Sequence, residues 1–183
     1  MDDLSLFLLD IVENAINAAS SLIEVTINED DKADTISMII KDNGKGMDEE
    51  TVQKAIDPFF TTRTTRKVGL GLSLLKQTCE ACDGSFVITS QLNQGTKIQV
   101  TFKKSHIDTP PLGNMADTIT SILSYSGING FTYKHIYNGS EFVFDLDEVR
   151  QILDGVSIQE VSVLTFIKEY TENNIFHIRG GVK

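Results

Sequence analysis

Leu4, Phe7, Leu8, Ile11, Ala15 and Ala19 recur at three- and four-residue spacing and share one face of a helix over residues 4–19. A face that apolar has to be covered, and the next segments are patterned to cover it. Ile23–Asn28 and Thr35–Lys41 alternate as strands, joined by the polar stretch Glu29–Asp34. Glu49–Ile56 is a short helix with Asp48 as its N-cap, and Leu70–Cys82 is another, stopped by Asp83-Gly84. Ser85–Ser90 and Lys97–Phe102 place β-branched residues at alternate positions, on either side of a turn containing Gly95.

The composition changes near residue 105, where His106–Pro111 holds two of the three prolines and reads as a linker or strap. Beyond it, a helix is expected over Asn114–Tyr125. A hairpin follows, with Phe131–Tyr137 and Glu141–Asp145 flanking Asn138-Gly139. Helices near Asp147–Leu153 and Ser157–Glu172 complete the chain. The organisation expected is therefore a unit over residues 1–104 and a C-terminal α+β extension over 105–183. The extension is short for a core of its own and could pack on the first unit.

A chain of 183 residues with 40% hydrophobic content buries enough surface to need no staple. Its two cysteines exclude a disulfide framework. A net charge of −10 repels nucleic acid and anionic lipid, so neither is expected as a partner. No apolar run approaches the roughly 18 residues of a membrane span, and Met1-Asp2-Asp3 has no basic leader character. A soluble, cytoplasmic protein is the expectation.

Four polar or glycine-marked segments carry the chemistry. On the first helix, Asp10, Asn14 and Asn17 stand at i, i+4 and i+7 and form one polar stripe away from the apolar face. A carboxylate one turn from a carboxamide suits Mg²⁺, which takes oxygen ligands, keeps several waters and binds phosphates; a solvated helix face has the same pattern. Second, Asp42-Asn-Gly-Lys-Gly46-Met47 follows a strand directly. Asp42 could accept from an exocyclic amine there, with Gly44 and Gly46 allowing close backbone approach and Met47 offering a soft surface. A plain strand-ending turn reads alike.

Third, Asp57-Pro-Phe-Phe-Thr-Thr-Arg63 leads through Arg66 and Lys67 into Val68-Gly-Leu-Gly-Leu72. Gly69 and Gly71 precede a helix, whose N-terminal N–H groups and partial positive charge favour phosphate. From Pro58 to Cys79 there is no acidic residue, while Arg63, Arg66, Lys67 and Lys76 are all cationic. No Gly-Lys-Ser/Thr follows, so the segment is not a Walker loop. Fourth, Gly95-Thr96 opens the last strand of the first unit and means nothing alone.

In this order the four segments resemble the GHKL ATPase superfamily of gyrase, heat-shock chaperone, histidine kinase and MutL ATPases, and above all the catalytic ATP-binding domain of bacterial histidine kinases. The resemblance covers about residues 4–103. It implies an α/β two-layer sandwich of the Bergerat type, an α+β arrangement with a mixed sheet covered on one face by helices. ATP would lie between those helices and a lid.

By that resemblance, Asn14 would hold Mg²⁺ against the phosphates and Asp42 would bind the adenine amino group, with Gly44, Gly46 and Met47 beside the ring. Phe59 and Phe60 match the aromatic box that anchors the lid, here Thr61–Val68, where Thr62 and Arg63 would also meet the nucleotide. Gly69, Leu70, Gly71 and Leu72 would give N–H groups to the phosphates, and Thr96 would support Asp42. Asp10 occupies the place of the water-activating glutamate but is one methylene shorter, and a base needs hydrogen-bond reach of about 2.6–3.2 Å or one intervening water. Glu13, about 60° off the Asp10–Asn14 stripe, ranks second for that role.

A histidine kinase also needs a phosphoacceptor histidine on a helical hairpin, normally before the ATP domain, and only three residues precede the first helix here. His106-Ile-Asp-Thr-Pro110 is faintly similar to that family's histidine box but lies on the wrong side. His135 and His177 read as structural or surface residues, and Cys79 and Cys82 as two small apolar residues of one helix face. The implied function is a Mg-dependent ATP-binding regulatory protein that hydrolyses ATP or passes its γ-phosphoryl to a protein partner. The alternatives are a nucleotide switch without chemistry and a protein-serine kinase similar to the anti-sigma factors. Pro110-Pro-Leu-Gly-Asn-Met-Ala-Asp117 loosely resembles small ATP-binding proteins associated with iron hydrogenases, which makes a hydrogenase-associated protein one candidate partner. Ile158, Val161, Leu164 and Ile167 could form either a homodimer seam or an intramolecular core.

Overall fold

A computed structural model describes residues 3–57, 71–125 and 127–181. The first half contributes α1 (Leu4–Asn17), β1 (Leu22–Asp30), β2 (Thr35–Asp42), α2 (Glu49–Ile56), α3 (Gly71–Ala81), β3 (Ser85–Gln91) and β4 (Gly95–Lys103). The second contributes α4 (Met115–Ser124), β5 (Gly130–Tyr137), β6 (Ser140–Asp145), α5 (Leu146–Leu153) and α6 (Val161–Ile178).

Capping sets several of the boundaries. The Asp3 carboxylate accepts from Leu6 N–H at 2.9 Å, Asp48 from Thr51 N–H at 2.8 Å, and Asn114 from Asp117 N–H at 3.1 Å. Each satisfies an N–H that the first helical turn leaves open. The Asn138-Gly139 turn has positive φ at both residues, 48° and 87°, as a two-residue hairpin loop requires.

The strands form one six-stranded sheet in the order β3-β4-β2-β1-β5-β6. All neighbours are antiparallel except β1 and β5, which run parallel. Alternation decides which side is covered. Ile23, Val25, Ile27, Ile36, Met38, Ile40, Ile98, Val100, Phe102, Phe131 and Tyr133 are buried on one face, where α1, α3, α4 and α6 lie. The opposite face carries polar side chains such as Glu24, Lys41, Lys97 and Lys134. This is the mixed α/β sandwich the resemblance implied. Fully burying one of these large side chains stabilises by about 1.5–3 kcal/mol.

The sheet crosses the composition change near residue 105. The whole length of β5 pairs with β1, from Leu22↔Gly130 to Glu29↔Tyr137, and α4 packs beside α1. The strap between them returns to the start of the chain, where Leu4 N–H donates to the Pro111 carbonyl at 2.9 Å.

Several boundaries differ from expectation. α1 ends at Asn17 and not at residue 19, with Ala19 exposed and left-handed (φ 59°), and β4 begins at Gly95. β1 extends to Asp30, so Glu29 belongs to a strand and not to the connecting turn. The last helix spans Val161–Ile178 instead of Ser157–Glu172, because 157–160 closes as a turn through Glu160 N–H on the Ser157 carbonyl at 3.2 Å. On that helix Ile167 is buried and Leu164 packs partly on the core, as does Ile158 in the turn before it, so these three serve the intramolecular core; Val161 is exposed.

Candidate functional site

The end of β2 is built around Asp42. Strand register sets Asp42 opposite Ile23 of β1 and Thr96 of β4, and Thr96 opposite Ser90 of β3. The side chains of Asp42, Thr96 and Ser90 share the helix-covered face, because each stands in phase with its strand's buried residues. Asp42 Oδ1 accepts from Ser20 Oγ at 3.0 Å and from Gly44 N–H at 2.8 Å. Two donors on one oxygen fix the carboxylate plane, and among the described residues no donor meets Oδ2.

Next to it, Ser90 Oγ donates to the Gly95 carbonyl at 3.0 Å and accepts from Met47 N–H at 2.8 Å. With the Ser90 proton committed, Thr96 Oγ1 at 2.9 Å is the donor in their contact. Asn43 clips the turn before β1, its Oδ1 accepting from Ser21 and Leu22 N–H, both at 2.9 Å. Two glycines are required here by internal contacts. A Cβ on Gly95 (φ +92°) would lie 1.9 Å from the Asp42 carbonyl, and one on Gly46 (φ +61°) 1.9 Å from the Gln91 carbonyl. These glycines let the β3–β4 turn close against the end of β2.

The α1 stripe supplies the second part. Asn14 Nδ2 donates to Asp10 Oδ2 at 3.5 Å, which joins the two predicted residues. Burial, with help from the negative charge of Glu13, raises the Asp10 carboxyl above the ordinary aspartate range. Glu13 accepts from the Tyr125 hydroxyl. Asn17 is exposed at the end of the helix. Gly71 and Leu72 are the buried first residues of α3. Phe59, Phe60, Thr62, Arg63, Gly69, Leu70 and the lid segment Thr61–Val68 lie outside the described residues.

Of the residues sequence reasoning missed, Ser20, Ser90 and Asn43 are the most consequential. A serine carries no spacing signal; only the strand pairing that sets Ser90 opposite Thr96 shows its role. The Cys79 thiol donates to the Ser85 and Thr101 carbonyls at 3.0 and 3.2 Å, and burial pushes it up to about 11. It is thus a protonated, packed group. Among the described residues no group of three His, Cys, Asp or Glu could hold a metal ion. Among the same residues no helix is long and apolar enough to cross a membrane.

Residues 1–106 match the sequence profile of the histidine kinase-, DNA gyrase B- and HSP90-like ATPases. The chain belongs to this family. Membership carries ATP binding with it, and the α/β sandwich above is the fold the resemblance led us to expect. A putative sensor protein of Shewanella frigidimarina is 35% identical over 103 residues, covering 55% of this chain and 16% of that protein. A sensor histidine kinase of Bacillus subtilis is 33% identical over 99 residues, covering 52% of this chain and 17% of its own length. The chain thus spans about one-sixth of these relatives. Among solved structures, a nucleotide-free catalytic domain of the histidine kinase ThkA aligns with a TM-score of 0.41 at 26% identity, covering 54% of this chain and 64% of that one.

Proposed function

We propose that this histidine kinase-like ATPase domain binds Mg·ATP along α1 and the start of α3, and that it hydrolyses the nucleotide or passes the γ-phosphoryl to a protein partner. The observation that carries the reading is the Asp42 carboxylate, fixed by Ser20 and Gly44 through one oxygen with the other left for a donor. That arrangement fits the exocyclic amine of adenine. Met47 lies beside it, its backbone tied to Ser90.

The donor set on α1 fits a magnesium ion through few protein groups. Asn14 would hold it by its carboxamide oxygen, and the ion would supply charge neutralisation to the phosphates. Asp10 takes the base role, holding the proton of an attacking water or hydroxyl at its carboxylate. Burial raises its basicity toward working pH, which suits that task. By the family resemblance, Gly69, Leu70, Gly71 and Leu72 would offer backbone N–H groups to the phosphates, and Phe59, Thr62 and Arg63 would contribute to nucleotide binding. Thr96 steadies Ser90, and through it the backbone of Met47.

Residues 105–183 would carry nucleotide state to the partner, and the protein would work in the cytoplasm. A single-turnover assay with γ-labelled ATP tests the chemistry. Asn14→Ala is expected to abolish Mg·ATP binding. Asp10→Asn is expected to retain binding and to lower turnover by about 10²–10⁴-fold. Unchanged turnover in Asp10→Asn rejects the base role, and ATP left intact by the unaltered protein reduces the site to a nucleotide switch.

A further inference from the structure

Two carboxylates lie one turn apart on the polar flank of α1, and the shorter one is at the position of the base. Glu13 has a methylene more reach than Asp10 and stands about 60° around the helix from it. Left loose, Glu13 could swing its charge toward the same phosphates and ion. A partner stands beside it: the Tyr125 hydroxyl donates to Glu13 Oε1.

Tyr125 is held to deliver that bond. It is the C-cap of α4, its N–H bonded to the Ile122 carbonyl at 3.1 Å. Its own carbonyl accepts from Gln159 Nε2 at 3.3 Å, just before α6, and α4 packs along α1. The backbone is therefore pinned on both sides and the ring reaches across to α1. Tyr125 also lies outside residues 1–106, the stretch matched by the family profile.

We propose that Tyr125 is a positioning residue for the nucleotide site: by tethering Glu13 on the α4 side of α1, it keeps a second negative charge away from the phosphates and leaves Asp10 and Asn14 to face them. This rests on the Mg·ATP reading above. It gives residues 105–183 a direct physical hold on the nucleotide helix, because displacement of α4 or of the Gln159 contact would free Glu13.

Calorimetric titration of the full chain with Mg·ATP tests it, using the unaltered protein, Tyr125→Phe, Glu13→Ala and the double variant. The net strength of one such hydrogen bond limits how far Tyr125 can bias the position of Glu13, and so caps the change in affinity at roughly three- to ten-fold. Tyr125→Phe is expected to weaken Mg·ATP binding by that factor, because the freed carboxylate opposes the triphosphate. Removing the carboxylate removes the cause, so adding Glu13→Ala to Tyr125→Phe should restore affinity to within about two-fold. A merely structural tyrosine would cost the same in both backgrounds. Unchanged affinity in Tyr125→Phe, or a loss that persists without Glu13, overturns the inference and leaves the Mg·ATP reading standing. No heat with the unaltered protein overturns that reading and the inference together.

Discussion

At the far end of β1 from Asp42, the side chain of Glu29 is only 4% exposed. Arg179, the residue that ends α6, donates to Glu29 Oε1 through Nε at 3.0 Å and also through its terminal nitrogen. His135 Nε2 meets the same oxygen at 2.9 Å, and Tyr133 Oη meets His135 Nδ1 at 2.7 Å. In the neutral imidazole, Nε2 donates to Glu29 and Nδ1 accepts from the tyrosine. Arg179→Ala removes two charge-assisted bonds and leaves a buried carboxylate underpaired. Breaking a fully buried pair costs about 3–5 kcal/mol. The Arg179 side chain is 38% exposed, so solvent screening lowers the expectation to about 2–3 kcal/mol. For a domain of this size that is a fall in Tm of about 4–12 °C. Thermal and urea unfolding measure it, with Lys41→Ala as the control, since the Lys41–Glu24 pair is 61% and 47% exposed and should change stability by no more than about 0.5 kcal/mol. An Arg179→Ala effect no larger than the control refutes the reasoning.

The same cluster gives a pH dependence. Burial alone would raise the Glu29 carboxyl, but the His135 and Arg179 hydrogen bonds and charges outweigh it and hold the carboxyl below the ordinary glutamate value. Its contribution is therefore present above the unfolded-state value and lost as pH falls through the folded-state one; urea melts from pH 7 down to pH 3 should show a loss that Glu29→Gln lacks. Among the described residues the buried Thr171 hydroxyl has no hydrogen-bond partner, so Thr171→Val should stabilise by about 1 kcal/mol, and a loss of stability would show that the hydroxyl is satisfied. Gly95→Ala should destabilise by at least about 2 kcal/mol, because its Cβ would collide with the Asp42 carbonyl at a positive φ. A melt unchanged from that of the unaltered protein would contradict the turn geometry.

Much of the chain was legible where its signals are local. The α1 stripe, the Asp48 cap and the Asn138-Gly139 turn each depend on residues within one or two turns of chain. Strand order is not local. That β5 lies parallel to β1, and so buries Glu29 against His135, depends on pairing across about a hundred residues. Alternation did hold the clue, since Glu29 continues the odd-numbered inward series of Ile23, Val25 and Ile27; its charge made it read as a turn residue. The site divides the same way. Asp10 and Asn14 meet as helical spacing requires, whereas Ser20 and Ser90 have ordinary sequence contexts and gain their roles only from the register of β2, β3 and β4. Tyr125 acts on α1 from 112 positions further along the chain, which no spacing rule reaches.

The most direct measurement of the account is a calorimetric comparison of Mg·ATP and Mg·GTP on the full chain. Asp42, whose second carboxylate oxygen meets no donor among the described residues, should accept the 6-amino group of adenine and oppose the 6-oxo group of guanine, where two acceptors would face each other. The expected result is single-site heat with ATP, binding at least about 100-fold weaker with GTP, and no ATP heat in Asp42→Ala. Equal affinity for the two nucleotides, or no heat with millimolar Mg·ATP, contradicts it.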